Sequence, residues 1–431
     1  MRRWPLWVGL GLVVALLLCS VPVVLVVTLL KNQPGGRSSG LPGPTGSPTP
    51  ARSPLPGDPA AVTEAWLGER ITELLDQQAA ALLRGDERGF LAVADSAAPA
   101  AADLKRQFRV LRAMRVTAWQ PEIHDHPVRL NGRGGEWRVL VTYRHCFVEP
   151  GCRTNPVTIG TRWVDSRPTP RLVAVEPSMS VRDGPRPWEV SDLSVAVGKR
   201  TLVATTGAYR SRLPDLLKQA EQAALVADRY AVDGTPPERY RVFYAGPTEW
   251  RRWYGGGRPA WTAGYAIAVG GEHYEVVLNA DEVHRSLLDD LLRHELTHAA
   301  SMPGQGGTRS ADWWLIEGIA EYAAAGGQPV SRYDGLDGLR RLVDAKVWNG
   351  RLDALAPAED AADWEVGGRY GVGYLAVRRL VDRFGEDRTL VFFATVVHEG
   401  RPVEEAAREA FGQEWSTLHD DCVSYVRAAI G

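Results

Sequence analysis

The spacing of apolar and polar positions changes several times along the chain. Residues 6–30, LWVGLGLVVALLLCSVPVVLVVTLL, contain no charge. A run of that length crosses a hydrocarbon core of ~30 Å, so it predicts a membrane helix. No small-x-small site closes the run as the cleavage site of a signal peptide does. Arg2 and Arg3 precede it. That bias predicts a single-pass protein of the cell membrane, with a cytoplasmic N-terminus and the remaining chain outside. Residues 32–59 are Pro, Gly, Ser and Thr with almost no large apolar side chain. They cannot bury a core and read as a disordered, extended stalk. From Ala60 the apolar positions Trp66, Ile71, Leu74, Leu75, Leu82 and Leu83 recur at helical spacing. Shorter helices are predicted over 88–94 and 101–114.

From Arg115 the period shortens to two. RVTAWQPEI, EWRVLVTYRHCFV, VTIGTRWVD and RLVAVEP alternate apolar and polar residues between turn signals such as NGRGG. Helices followed by antiparallel strands indicate an α+β unit over 60–185. This element order resembles the cone of nuclear transport factor 2-like domains. After Pro185 a second region, 186–431, begins with the strand-like VSDLSVAVGKRTLVATT. An amphipathic helix, RLPDLLKQAEQAALVADRYA, follows, then the strand YRVFYAG. Next comes AGYAIAVGGEHYEVVLNAD, a hairpin predicted to turn at Gly270 and Gly271. Helices are predicted thereafter over 286–300, 312–325, 336–346, 371–384, 389–397, 403–411 and 414–429. The organisation expected is a cytoplasmic tip and transmembrane helix (1–31), a stalk (32–59), an accessory domain (60–185) and a mostly helical second domain with a small sheet (186–431).

Composition narrows the function classes. The chain of 431 residues is 45% hydrophobic and 24% charged, with a formal net charge of -2. No basic excess marks a nucleic-acid partner. Cys146 and Cys152, in HCFVEPGC with Pro150 and Gly151 as turn residues, are expected to pair in an oxidising exterior. Cys19 reads as a membrane thiol and Cys422 as unpaired and buried. His124 and His126, in EIHDHPV, read as solvent-facing or structural strand residues rather than ligands.

The candidate chemistry lies in LLRHELTHAA, residues 291–300. Positions four apart share one face of a helix. His294 and His298 can therefore meet at one zinc ion, and Glu295 projects beside it as a base for water. Ser286 with Asp289 predicts the helix N-cap, and Pro303 its end. Catalytic zinc takes three protein ligands and an open position. Downstream, DWWLIEGIAEYAAAGGQP places Glu317 among Trp313, Trp314, Leu315, Ile316 and Ile319. A lone carboxylate there is costly unless it is paired or bound to metal. Glu321, one turn on, is placed to accept the other N–H of a ligating histidine.

HELTH, an eighteen-residue gap and Glu317 within WLIEGIAEY together resemble the gluzincin metallopeptidases. The nearest match is the peptidase MA-like family, with the membrane-type aminopeptidases as relatives. The resemblance implies a zincin-type domain with His294, His298 and Glu317 as zinc ligands and Glu295 as general base and acid. It implies also a tyrosine that stabilises the oxyanion. In RYGVGYLAVRRL this is Tyr370, with Gly373 at the matching place and Tyr374 as the alternative. The aminopeptidases carry an acidic anchor for the substrate amine where this chain has AGYAIAVGG, so aminopeptidase activity is not expected. The strand over 265–269 is instead a candidate for pairing with an extended peptide. The function implied is a membrane-anchored, extracellular zinc metallopeptidase hydrolysing peptide or protein substrates with an activated water. Two alternatives stay open, a non-catalytic ectodomain stabilised by zinc and a zinc amidase acting on the cell envelope.

Overall fold

The computed structural model describes residues 52–431, apart from 133–134, 179–183, 233, 271–272, 285 and 305–307. The membrane helix expected over 6–30, Cys19 and most of the stalk lie outside the described residues. Among the described residues, no helix is long and apolar enough to cross a membrane.

Three helices open the described chain: α1 (Ala60–Arg84), α2 (Glu87–Leu91) and α3 (Pro99–Ala113). Gly85, in the left-handed region, ends α1, and its N–H bonds the Ala81 and Leu82 carbonyls. An antiparallel sheet follows, made of β1 (Val116–Ile123), β2 (Val128–Arg129), β3 (Glu136–Phe147), β4 (Asn155–Val164) and β5 (Arg171–Glu176). Its order is β1-β3-β4-β5, with β2 paired to β3. Cys146, near the end of β3, forms a disulfide with Cys152 in the turn that follows, and Cys422 is free and buried.

A second sheet contains β6 (Leu193–Val197), β7 (Thr201–Thr206), β8 (Tyr240–Ala245), β9 (Gly264–Gly270) and β10 (His273–Asn279). Its order is β6-β7-β8-β10-β9, which leaves β9 at an edge. The pairs β7–β8 and β8–β10 are parallel. Helix α4 (Leu213–Ala227) crosses between β7 and β8. Both faces of the central strands are covered, and this explains runs such as TLVATT and YRVFYA, which barely alternate in hydrophobicity. Leu202, Ala204, Phe243, Ala245 and Val277 face a core shared with the first sheet and its helices. Their neighbours Val203, Val242, Tyr244, Val276 and Leu278 face α4 and the helix that carries HELTH.

The remaining helices are α5 (Leu288–Ser301), α6 (Trp313–Ala325), α7 (Leu336–Asp344), α8 (Asp363–Phe384), α9 (Glu386–Phe393), α10 (Val403–Phe411) and α11 (Trp415–Ala428). Two of them depart from the sequence expectation. Helix α5 begins at Leu288, and Leu287 occupies its N-cap without a side-chain bond. Ser286 is not the cap because its hydroxyl is engaged with His284 Nδ1 at 2.7 Å. Helix α8 begins eight residues before the predicted 371, so GGRYGVG runs through a helix instead of preceding one. Those glycines serve close approach. A Cβ on Gly318 of α6 would lie 2.5 Å from the Gly373 carbonyl oxygen of α8, and one on Gly368 would lie 2.7 Å from that of Gly338 in α7.

His145 of β3 lies opposite Asn155 of β4 in the interior. It is fully buried, and its ring nitrogens lack a partner of good geometry. Trp119, Phe147 and Trp188 surround it at ring-centre distances of 4.9–5.8 Å. Burial, reinforced by Arg186 and Arg241, pushes its pKa well below 6.5. The folded chain therefore keeps His145 neutral while the unfolded chain protonates it below that pH. Stability is present above 6.5 and lost on acidification, by up to ~1.4 kcal/mol per pH unit from this group. His145→Phe removes the contribution. Thermal unfolding at about pH 7 and about pH 5 should show a smaller acid-induced drop in Tm for the variant than for the parent. Equal drops would exclude His145 as a source of acid sensitivity.

Candidate metal centre and the cleft beside it

Helices α5 and α6 pack side by side, and three donor atoms converge between them. His294 Nε2 and His298 Nε2 are 3.0 Å apart. Glu317 Oε2 lies 3.2 Å from the first and 3.1 Å from the second. Among the described residues these three side chains form the one group able to hold a metal ion. Tetrahedral ligation at ~2.0–2.1 Å separates ligand atoms by roughly 3.3 Å, so the donor set fits a zinc ion with little adjustment. The chemistry of the set agrees, since two imidazoles and a carboxylate with an open side make a typical catalytic zinc site. Burial alone would raise the Glu317 pKa. The His298 and His294 imidazoles outweigh it and hold this carboxyl well below its usual range.

Behind the ligands, His294 Nδ1 sits 3.0 Å from Glu321 Oε1. Tyr333, in the loop between α6 and α7, donates its hydroxyl proton to Glu321 Oε2 at 2.6 Å. The chain Tyr333–Glu321–His294 fixes which imidazole nitrogen faces outward. Glu321 was placed by its helical spacing from Glu317. Tyr333 carried no signal, since the loop supplies no period that would relate it to either helix.

Glu295 sits on the neighbouring face of α5 and is 4% exposed. Burial raises its pKa above the usual carboxylate range, against the lowering effect of His294 and His298. One of its oxygens, Oε2, has no partner. The other lies against the start of β9, where a Cβ on Gly264 would come within 2.9 Å of it. Glycine at this position leaves room for the carboxylate under the edge strand.

A cavity of about 300 Å³ opens beside the triad and reaches His294, Glu295 and Tyr370. The Tyr370 ring meets His294 edge-on at 5.8 Å and packs on Trp313 at 5.1 Å. Tyr374 is placed differently. It is fully buried, stacks on Tyr333 at 4.3 Å and accepts a hydrogen bond from Arg378 at 2.7 Å. His124 and His126 are exposed on the segment that follows β1, and neither belongs to the converging donor group.

No protein-family model matches the sequence, and no curated protein matches it. Comparison with solved structures returns an M1 zinc metallopeptidase from Deinococcus radiodurans at 15% identity and a TM-score of 0.33, covering 73% of this chain and 61% of that one. It also returns native yeast LTA4 hydrolase at 13% identity and a TM-score of 0.34, covering 68% of this chain and 52% of that one. The chain thus spans between half and two thirds of the length of these structures.

If Tyr333 and Glu321 orient His294, removing them weakens metal binding without removing a ligand. Glu321→Ala should lower zinc affinity by about 10–100-fold, and Tyr333→Phe should lower it less. Competition against a chelator of known affinity measures both. Unchanged affinity in Glu321→Ala would exclude the orienting role.

Proposed function

We propose that this chain is a zinc-dependent metallopeptidase. The observation that carries the reading is the buried Glu295 carboxylate, one oxygen of which has no partner, beside three converging donors and lining an open cavity. A site that held zinc for stability alone would need no base and no opening. The HELTH–Glu317 pattern, which resembles the gluzincins, supports the same conclusion.

His294, His298 and Glu317 hold the metal. Bound zinc supplies Lewis-acid polarisation of the scissile carbonyl and a lowered pKa for water. Glu295 accepts the proton of the attacking water on its free oxygen. It then delivers that proton to the departing amine, restoring the carboxylate. Its raised pKa suits both halves of this transfer, because a stronger base takes the proton and a weak acid still gives it up. Tyr370 donates a hydrogen bond to the developing oxyanion from the wall beside His294. Strand β9 lies at the sheet edge with its start against Glu295, so an extended peptide can pair along that edge. The stretch AGYAIAVGG, residues 263–271, carries no acidic residue to grip a substrate amine, which favours internal bonds over the N-terminal one.

We further infer that residues 6–30 anchor the chain in the cell membrane and that 32–59 hold the metal centre outside. A cysteine introduced at Ser47 should react with an impermeant thiol reagent on intact cells, and failure to react without lysis would place this segment inside.

For the chemistry, the purified chain should carry about one zinc and cleave unfolded proteins in a chelator-sensitive way. Glu295→Gln should keep the zinc and lose about 10²–10⁴ in rate. Tyr370→Phe should lose about 10²–10³ in kcat with little change in KM. Glu317→Ala should lose the metal and the activity together. Parent-like hydrolysis by Glu295→Gln would overturn the mechanism.

A further inference from the structure

The cavity beside the triad is charged on one side only. Asp290 from the first turn of α5, half-buried, and the exposed Asp334 from the loop before α7 and Glu282 from the segment after β10 line it. Among the described residues that line it there is no lysine or arginine. The nearest guanidinium, Arg293, comes within 3.6 Å of Asp290. It is shared, pairing with Asp290 while also bonding Asp289 and the Ala324 carbonyl, and it borders a different cavity.

Acidic side chains on a helix end are usually a solvated face, and by themselves they would mean nothing. Two features separate this group from that case. The inner end of the same cavity is Glu295, buried, with one oxygen unpartnered. The carboxylates also crowd one another. Burial raises the Asp290 pKa, Arg293 opposes it, and Asp289, Asp334 and Glu321 add to it. A cation arriving there meets several carboxylates, of which Asp290 is paired with Arg293.

Beside these carboxylates the lining carries apolar side chains, among them Val283, Leu291 and Ala324. A lining of that mixture suits a group with an aliphatic stem and a positive charge at its tip. Lysine and arginine side chains have that form. A substrate α-amine, within two bonds of its own carbonyl, has no such stem. The cavity volume of about 300 Å³ is at the lower end of ligand pockets and suits one side chain rather than a larger group.

We propose that this cavity is a specificity pocket for a lysine or arginine side chain flanking the scissile bond, with Asp290 and Asp334 receiving its charge. The inference rests on the peptidase reading and adds the substrate class.

Binding can be measured without turnover. Zinc-loaded Glu295→Gln protein is titrated with short N-acetylated peptides, each carrying one arginine among leucine and alanine, and with twins in which citrulline replaces arginine. Citrulline keeps the shape and removes the charge. Arginine peptides should bind about ten-fold more tightly, ~1.4 kcal/mol, with the advantage shrinking as salt rises. Adding Asp290→Asn and Asp334→Asn should reduce the advantage to about two-fold or less while zinc content holds. Equal binding of the twins, no binding of either, or an advantage that survives the double substitution would each overturn the pocket. An advantage that appears only when the N-terminal acetyl group is left off would assign the cation to the α-amine and overturn the side-chain proposal. Arginine-selective binding without hydrolysis by the unaltered chain would sink the peptidase reading and leave the pocket standing. Hydrolysis without arginine preference would do the reverse.

Discussion

Two imidazole nitrogens and a carboxylate oxygen held 3.0–3.2 Å apart in a nearly dry setting form an arrangement that a chain does not adopt without a rigid frame. Each polar group there has left water, and their mutual approach is favourable only with a shared proton or a cation between them. The frame comes from backbone contact. Gly318, one residue after the ligand Glu317, lies against Gly373 of α8 so closely that no side chain fits at either place. Helices that touch through backbone cannot slide or rotate far, because every displacement meets carbonyl oxygens instead of flexible side chains. The same crossing presents Tyr370, three residues before Gly373, to the cleft. One helix contact therefore sets both a ligand and the proposed oxyanion donor, and Tyr333 and Glu321 lock the remaining freedom of His294.

The other wall of the cleft is fixed from the opposite direction. Glu275 of β10 is fully buried, and Arg241 of β8 is 5% exposed. They are register partners in parallel strands, with facing charges 3.5 Å apart. Tyr254 donates its hydroxyl to the same carboxylate. Arg186 joins at 3.7 Å and also bonds the carbonyls of Pro156 in the first sheet and Val269 in β9. A cluster of this kind contributes little net stability, since desolvation offsets most of the Coulomb attraction. Its effect is on register. A slip of one residue would leave Glu275 buried and unpaired, at a cost of about 3–5 kcal/mol. The first sheet thereby helps to hold β9 in place as an edge strand, which gives the accessory region a structural task at the cleft whatever else it does.

How much of this could be read from sequence follows from the range of each interaction. HELTH and Glu317 were legible because helical period and an anomalous carboxylate in an apolar stretch are local signals. Glu321 followed from the same period. The start of α8 was misread because GGRYGVG has the composition of a break, whereas its glycines are there for contact with Gly338 and Gly318. Ser286 had the composition of a cap, but His284 takes its hydroxyl. Tyr333 and Asp334 share one loop, Asp290 and Glu282 stand on two further segments, and only tertiary folding brings the three segments to one cavity. The edge position of β9 depends on two parallel pairings across the sheet, and parallel partners leave no mark on the residues that join them.

Gly264 shows how far the two walls depend on each other. It belongs to the edge strand that an extended substrate would lie along, and its missing side chain is the space into which Glu295 fits. Burial under that strand is also what raises the Glu295 pKa. Strengthening of the base and exposure of the edge are therefore one construction. A strand set further away would admit water to Glu295 and return it toward an ordinary carboxylate, weak as a base at neutral pH. A larger residue at 264 would push Glu295 off its place beside the ligands and bend the edge from the line a peptide must follow. In the proposed mechanism, proton transfer and substrate pairing place the same demand on a single position, and glycine, lacking a Cβ, meets it.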